Sequence, residues 1–96
     1  MTKAEIVAVI SEKTGIEKTD VLATVEAFMN EVKSSLESNT NVYLRGFGSF
    51  IVKQRAEKTG RNITKNTTII IPAHNIPSFK PAKTFVEAVK SSVPVK

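Results

Sequence analysis

A stretch of about thirty residues, from Gly46 to Pro77, alternates like a hairpin yet has almost nothing to bury at its middle. It opens on Gly46-Phe47-Gly48-Ser49-Phe50, where Gly46 and Gly48 bracket Phe47 at a tight connection. Phe50 and Val52 then alternate with Ile51 and Lys53, and apolar content all but vanishes from Gln54 to Asn62. It returns at Ile69-Ile70-Ile71, a β-branched run suited to a strand. Thr59-Gly60, Asn62 and Asn66 between them are turn formers, and Pro72, Pro77 and Pro81 keep the return segment irregular or at a sheet edge. Such a segment is an arm, and the core has to be made without it.

The remainder of the chain, about 65 residues, is marginal for a single core. The apolar content of the whole chain, 41%, is that of a globular protein, so a second copy is the simplest source of the missing core. Dimerisation is therefore expected. Thr2-Lys3-Ala4-Glu5 has the spacing of a capping box, followed by Ile6, Val7 and Ile10 at helical spacing and a stop at Thr14-Gly15. A second helix begins near Glu17 or Lys18 and carries the stripe Val21, Val25, Phe28, Met29, Val32 and Leu36 until Ser38-Asn39-Thr40-Asn41. Strand character starts at Val42-Tyr43-Leu44-Arg45. Pro81 is placed to open a last helix with Phe85 and Val89 inward.

The net charge of +5 is unevenly spread. Residues 1–42 carry four lysines against seven acids, whereas residues 43–96 carry ten cations against only Glu57 and Glu87. A basic half of this kind suits a polyanion, the plainer reading being a solvated surface. No cysteine is present, so disulfides and thiolate metal sites are excluded. Glu5 interrupts the N-terminus where a signal peptide would be apolar, and no apolar run is long enough to span a membrane. A soluble, cytoplasmic protein is expected. His74 has no metal-binding or catalytic company, and Gly46-Phe47-Gly48 is only half of a dinucleotide fingerprint, with Ile51 where the third glycine would stand. An enzyme, a cofactor, a metal ion and a small-molecule substrate are not expected.

Strand alternation puts Lys53 and Arg55 on one face, and Lys58 and Arg61 continue the basic track toward the tip, with Lys65 beyond. Each cation can neutralise a phosphate, and Arg61 can instead enter a narrow minor groove; a solvated strand face is the plain alternative for each lysine. The turn from Gly46 to Ser49 can present backbone N–H groups to a phosphate, or can need glycine only for its angles. No aromatic residue occurs between Phe50 and Phe79, so the arm has no base-stacking platform. Phe47, Phe50 and Phe79 at the base of the hairpin, with Phe28 on the second helix, are instead read as a dimer core.

With Gly46-Phe47-Gly48-Ser49-Phe50, Arg55-Ala56-Glu57, Thr59-Gly60-Arg61-Asn62 and Asn75-Ile76-Pro77-Ser78-Phe79, the chain resembles the bacterial HU and integration host factor family of histone-like DNA-bending proteins. The resemblance runs from Lys3 to Lys90. It implies two intertwined chains whose β-arms enter the minor groove and bend double-stranded DNA. It implies arm contacts at Arg55, Lys58, Arg61 and Asn62, and body contacts to phosphate at Lys3, Lys80, Lys83 and the turn containing Gly46, Gly48 and Ser49. Family members usually carry proline after the Arg-Asn of the tip; here Ile63 stands there and is expected to act as the wedge, the plain alternative being that it only stiffens the tip strand.

The expected fold is α+β: two helices, a three-stranded antiparallel sheet with a long β-arm hairpin, and a short C-terminal helix, in an intertwined dimer. One domain spans residues 1–96, with a helical dimerisation half (1–40), sheet and arm (41–81, the arm about 53–74) and a last helix (82–91). The expected function is largely sequence-independent bending and compaction of DNA in the nucleoid by a homodimer. One alternative is a sequence-preferring subunit resembling integration host factor, paired with a paralogue, toward which Arg45 at the arm base leans. The other is a protein-interaction adaptor that uses the basic arm.

Overall fold

In a computed structural model, which describes residues 1–62 and 67–95, the chain runs through helix α1 (Lys3–Thr14), helix α2 (Lys18–Glu37), strands β1 (Val42–Leu44), β2 (Gly48–Arg55), β3 (Lys58–Asn62), β4 (Thr67–Ile71) and β5 (His74–Pro81), and helix α3 (Lys83–Ser92). Local signals set the helix ends. The Thr2 hydroxyl accepts from the Glu5 N–H at 3.3 Å, and Gly15, at φ 77°, closes α1 by donating to the Ser11 carbonyl. Glu17 caps α2 without a side-chain bond, as expected of a poor N-cap. At the other end, Asn39 takes a positive φ of 57°, and the Ser35 hydroxyl donates to the Thr40 carbonyl.

Strands β1, β2 and β5 form one antiparallel sheet in the order β1-β2-β5, while β3 and β4 pair as a separate two-stranded ribbon. The expected single hairpin is thus divided. Pairing of β2 with β5 ends at Arg55↔His74, and β3 with β4 starts at Lys58↔Ile71, leaving Ala56 and Glu57 opposite Pro72 and Ala73 outside both ladders. Pro72 has no N–H to contribute to a ladder, which accounts for the break. The His74 ring braces it, Nδ1 donating to the Pro72 carbonyl at 3.0 Å. Pro81 corrects the sequence reading: it ends β5 opposite Gly48, and α3 begins two residues later behind Ala82. Because β5 is an edge strand, both Pro77 and Pro81 fit within it.

Directly opposed residues share a sheet face. The register sets Phe50 between Val42 and Phe79, and Ser49 between Tyr43 and Lys80. One face is therefore aromatic and the other polar and basic. Helix α2 lies over the aromatic face, Val32 and Leu36 bordering a cleft of ≈ 710 Å³ with Phe50, Val52 and Pro77. Rings cluster there: Phe79 lies 4.9 Å from Phe50, 5.2 Å from Phe47 and 6.4 Å from Phe85, and Phe47 stacks 5.4 Å from Phe85.

Little of this is enclosed. Among the described residues only Val7 and Val21 form a buried apolar core, while Phe28, Phe47 and Phe79 are 45%, 46% and 37% exposed. The accessible surface is 8237 Å² for 10.5 kDa, where a compact chain of that mass would expose about 5,400 Å². The radius of gyration is 18.8 Å, against about 12.5 Å for a compact chain of this length.

Asn41 extends the sheet past the end of β1. Its side-chain carbonyl accepts from the Val52 N–H at 3.0 Å, a rung that no backbone group of β1 supplies. Replacing it with alanine is expected to cost about 1 kcal/mol. Hydrogen exchange should show faster loss of the Val52 amide proton, with helix amides unaffected.

Candidate nucleic-acid interface

The face of the sheet turned away from the phenylalanines carries Tyr43, Ser49, Ile51, Lys53, Arg55 and Lys80. None of these side chains is acidic, and Lys53, Arg55 and Lys80 are exposed. The two-residue repeat of β2 aligns Ser49, Ile51, Lys53 and Arg55 along one line, and the register with β5 sets Lys80 beside Ser49. An open antiparallel face that is cationic along its length attracts a polyanion and has no competing carboxylate of its own.

The turn from Arg45 to Phe47 lies at one end of that line. The Phe47 N–H donates to the Leu44 carbonyl at 3.0 Å, and the Ala82 N–H donates to the Phe47 carbonyl at 2.9 Å, tying the turn to the start of α3. Its glycines do different things. Gly46 has φ 82° and nothing within 4 Å of where a Cβ would stand, so its backbone is open to an incoming phosphate. Gly48 is buried, and a Cβ there would lie 2.6 Å from Phe79 Cζ and 2.7 Å from the Lys80 carbonyl oxygen. Packing of β2 on β5 is what requires glycine at 48.

Of the body residues expected from sequence to contact DNA, Arg45, Gly46, Gly48, Ser49 and Lys80 border one groove of ≈ 650 Å³. Lys83 begins α3 and Lys3 begins α1, both exposed and outside that groove. Lys3 Nζ is 3.9 Å from Glu26 Oε2 with both side chains about half exposed, a surface pair weak enough to yield to a phosphate. On the ribbon, Lys58 is exposed opposite Ile71, and Arg61 and Asn62 stand opposite Thr68 and Thr67. Ile63 and Lys65 lie outside the described residues. Of the expected core rings, Phe47, Phe50 and Phe79 come together and Phe85 joins them, while Phe28 is exposed on α2.

Tyr43 also borders the groove and is absent from the sequence-based set. The signal was its alternation with Arg45 in a strand whose Val42 and Leu44 face inward. Among the described residues no group of His, Asp and Glu is placed to hold a metal ion, and no helix is long and apolar enough to cross a membrane.

The model of the bacterial DNA-binding protein family matches residues 1–90. DNA-binding protein HU of Xylella fastidiosa is 40% identical over 92 residues, which are 96% of this chain and 98% of that protein. The SPbeta prophage-derived DNA-binding protein HU 2 of Bacillus subtilis is 40% identical over 91 residues, 95% of this chain and 99% of that one. Among solved structures, the HU chain of an Anabaena HU–DNA cocrystal superposes with a TM-score of 0.89 at 34% identity, covering 94% of this chain and 98% of that chain.

Proposed function

The chain belongs to the bacterial DNA-binding protein family, that of the HU proteins, and on that premise we propose that it is an architectural protein of the nucleoid. Two copies bind double-stranded DNA through the basic sheet face and bend it between two ribbons that enter the minor groove. The observation that carries this reading is the acid-free line of Ser49, Lys53 and Arg55 with Lys80 beside it, on the strand from which the ribbon continues beyond Ala56 and Glu57. Backbone-directed cations give affinity with little sequence preference.

The dimer reading rests on what one chain leaves uncovered. Phe28, Phe47 and Phe79 are exposed at levels a stable core does not tolerate; Phe79 shares the sheet face of Phe50, Phe47 packs against it, and Phe28 lies on α2. A second copy of the chain is the partner whose apolar surface matches. Light scattering is expected to give twice the chain mass; a stable monomer would defeat the reading.

Affinity should fall steeply with salt, and each phosphate contact removed should lower the slope of log K against log salt by about 0.9. Measured by fluorescence anisotropy, a shallow slope together with weak binding at low salt would favour the adaptor reading. Doubly labelled duplexes should show bending by energy transfer. Ile63 is assigned the wedge at the tip from its sequence position and apolar bulk. Ile63→Ala is expected to reduce the bend and leave the salt slope unchanged; an unaltered bend angle removes the wedge role. Random-sequence competitor DNA should compete about as well as any chosen duplex, whereas strong discrimination would favour a sequence-preferring subunit and give Arg45 a reading task.

A further inference from the structure

Tyr43 is the single tyrosine of a chain that has no tryptophan, and 72% of its surface is open. It stands on the sheet face away from the phenylalanine cluster, so it is not part of the surface that a second copy would cover. Its ring is nevertheless held. Because the Val52 N–H donates to Asn41 Oδ1 at 3.0 Å, the Asn41 amide nitrogen is turned toward the phenol, where it donates to the Tyr43 oxygen at 3.2 Å. The tip of the ring is tethered while most of the residue's surface stays open.

The groove beside it has two kinds of wall. Arg45, Ser49 and Lys80 offer charge and a hydroxyl, while Ile51 and Pro81 are apolar. A phosphate would use the first three and gain nothing from the apolar pair or the aromatic ring. A nucleobase would use those, and the volume of ≈ 650 Å³ lies within the roughly 300–1,000 Å³ of small-molecule sites. Bases inside an intact duplex have both faces covered by their neighbours, so the base concerned has to be unpaired. Aromatic residues set among cations on an open sheet are the usual platform for such bases.

We propose that the groove is a site for one unpaired nucleotide, its base stacked on Tyr43 against Ile51 and its phosphate held by Arg45 and Lys80. This builds on the DNA-binding reading above and adds to it one side chain of β1, Tyr43, as the contact for an unpaired base. The site is complete within one chain.

Tyr43 is the only strong intrinsic fluorophore, so its emission reports on the site without a label. The test titrates the protein with three probes: a nicked duplex, the same duplex with a one-nucleotide flap, and that flap with its base removed. The flap with a base is expected to quench the emission more and to bind about tenfold tighter than the abasic flap. Neither variant keeps the tyrosine emission, so their binding is followed by anisotropy of labelled probes: Tyr43→Leu should bring that ratio to about one, and Tyr43→Phe, which keeps the ring, should retain it. A ratio near one in the unaltered protein overturns the proposal, as does a ratio that survives Tyr43→Leu. If no duplex binds at low salt, both this site and the DNA-binding reading fail; if the nicked duplex binds and the flap base makes no difference, only this site does.

Discussion

Phe79→Ala is expected to dismantle the folded assembly rather than loosen one contact. Phe79 pairs with Phe50 in the register of β2 and β5, and its ring lies within 5.2 Å of both Phe47 and Phe50. It also covers Gly48, whose lack of a side chain is what lets the strands approach. Phe79 is 37% exposed in one chain; where a second copy buries it, truncation costs about 3–5 kcal/mol, and a domain of this size has only about 5–10 kcal/mol in total. In a dimer the loss occurs twice, since each protomer contributes a ring. The apparent melting temperature at fixed concentration should fall by about 20 °C or more, with loss of the dimer mass by light scattering. Gly48→Ala approaches the same contact from the other side. The added methyl meets a backbone oxygen that cannot move cheaply, and a loss of about 3 kcal/mol is expected. Should Phe79→Ala melt like the unaltered protein, the aromatic face would not be the dimer core.

Replacing Lys53, Arg55 and Lys80 together with alanine should have the largest effect on binding while sparing the fold. All three are exposed on the sheet face that has no carboxylate. Exposed substitutions of this kind usually shift stability by about 0.5 kcal/mol or less. Six cations leave a dimer, so the slope of log K against log salt should drop by about five, and affinity at low salt by about a thousandfold. Circular dichroism melting checks the fold, and anisotropy across a salt series checks the binding. An unchanged slope would move the DNA off the sheet face and leave the ribbons as the only grip.

Features set by neighbours in sequence were legible before the structure, and features set by register were not. Thr2, Gly15 and the Ser38-Asn39-Thr40-Asn41 run bound their helices by local hydrogen bonding, so α1 and α2 could be read directly. The alternation of Phe50 and Val52 with Ile51 and Lys53 likewise revealed the two faces of β2. Pro81 misled because a proline ahead of an amphipathic run suits a helix start equally well; only its pairing with Gly48 decides for the strand. Pro72 was visible as a disruption, but that it falls opposite Ala56 and Glu57 and splits the hairpin is a property of the pairing. Tyr43 went unread for the same reason. Its cross-strand neighbour Ser49 is close in sequence, but Lys80 beyond it comes from the far side of the arm, and no local pattern announces that company.

The break in the ladder at Ala56-Glu57 and Pro72-Ala73 has a thermodynamic consequence. A hydrogen-bonded ladder transmits cooperativity, and here the ladder is interrupted, so the ribbon and the body are expected to melt as separate units. A two-stranded ribbon alone is marginal in water, and Lys58, Thr59, Ile70 and Ile71 are all exposed. Amides of β3 and β4 are therefore expected to exchange through an opening far cheaper than global unfolding, while those of β2 and β5 exchange only with the whole. On the proposed function, DNA closing around the ribbon would supply the second surface it lacks. The closed population of each arm would then be a function of DNA concentration, so that the two arms of a dimer would act as latches that lock only on their target.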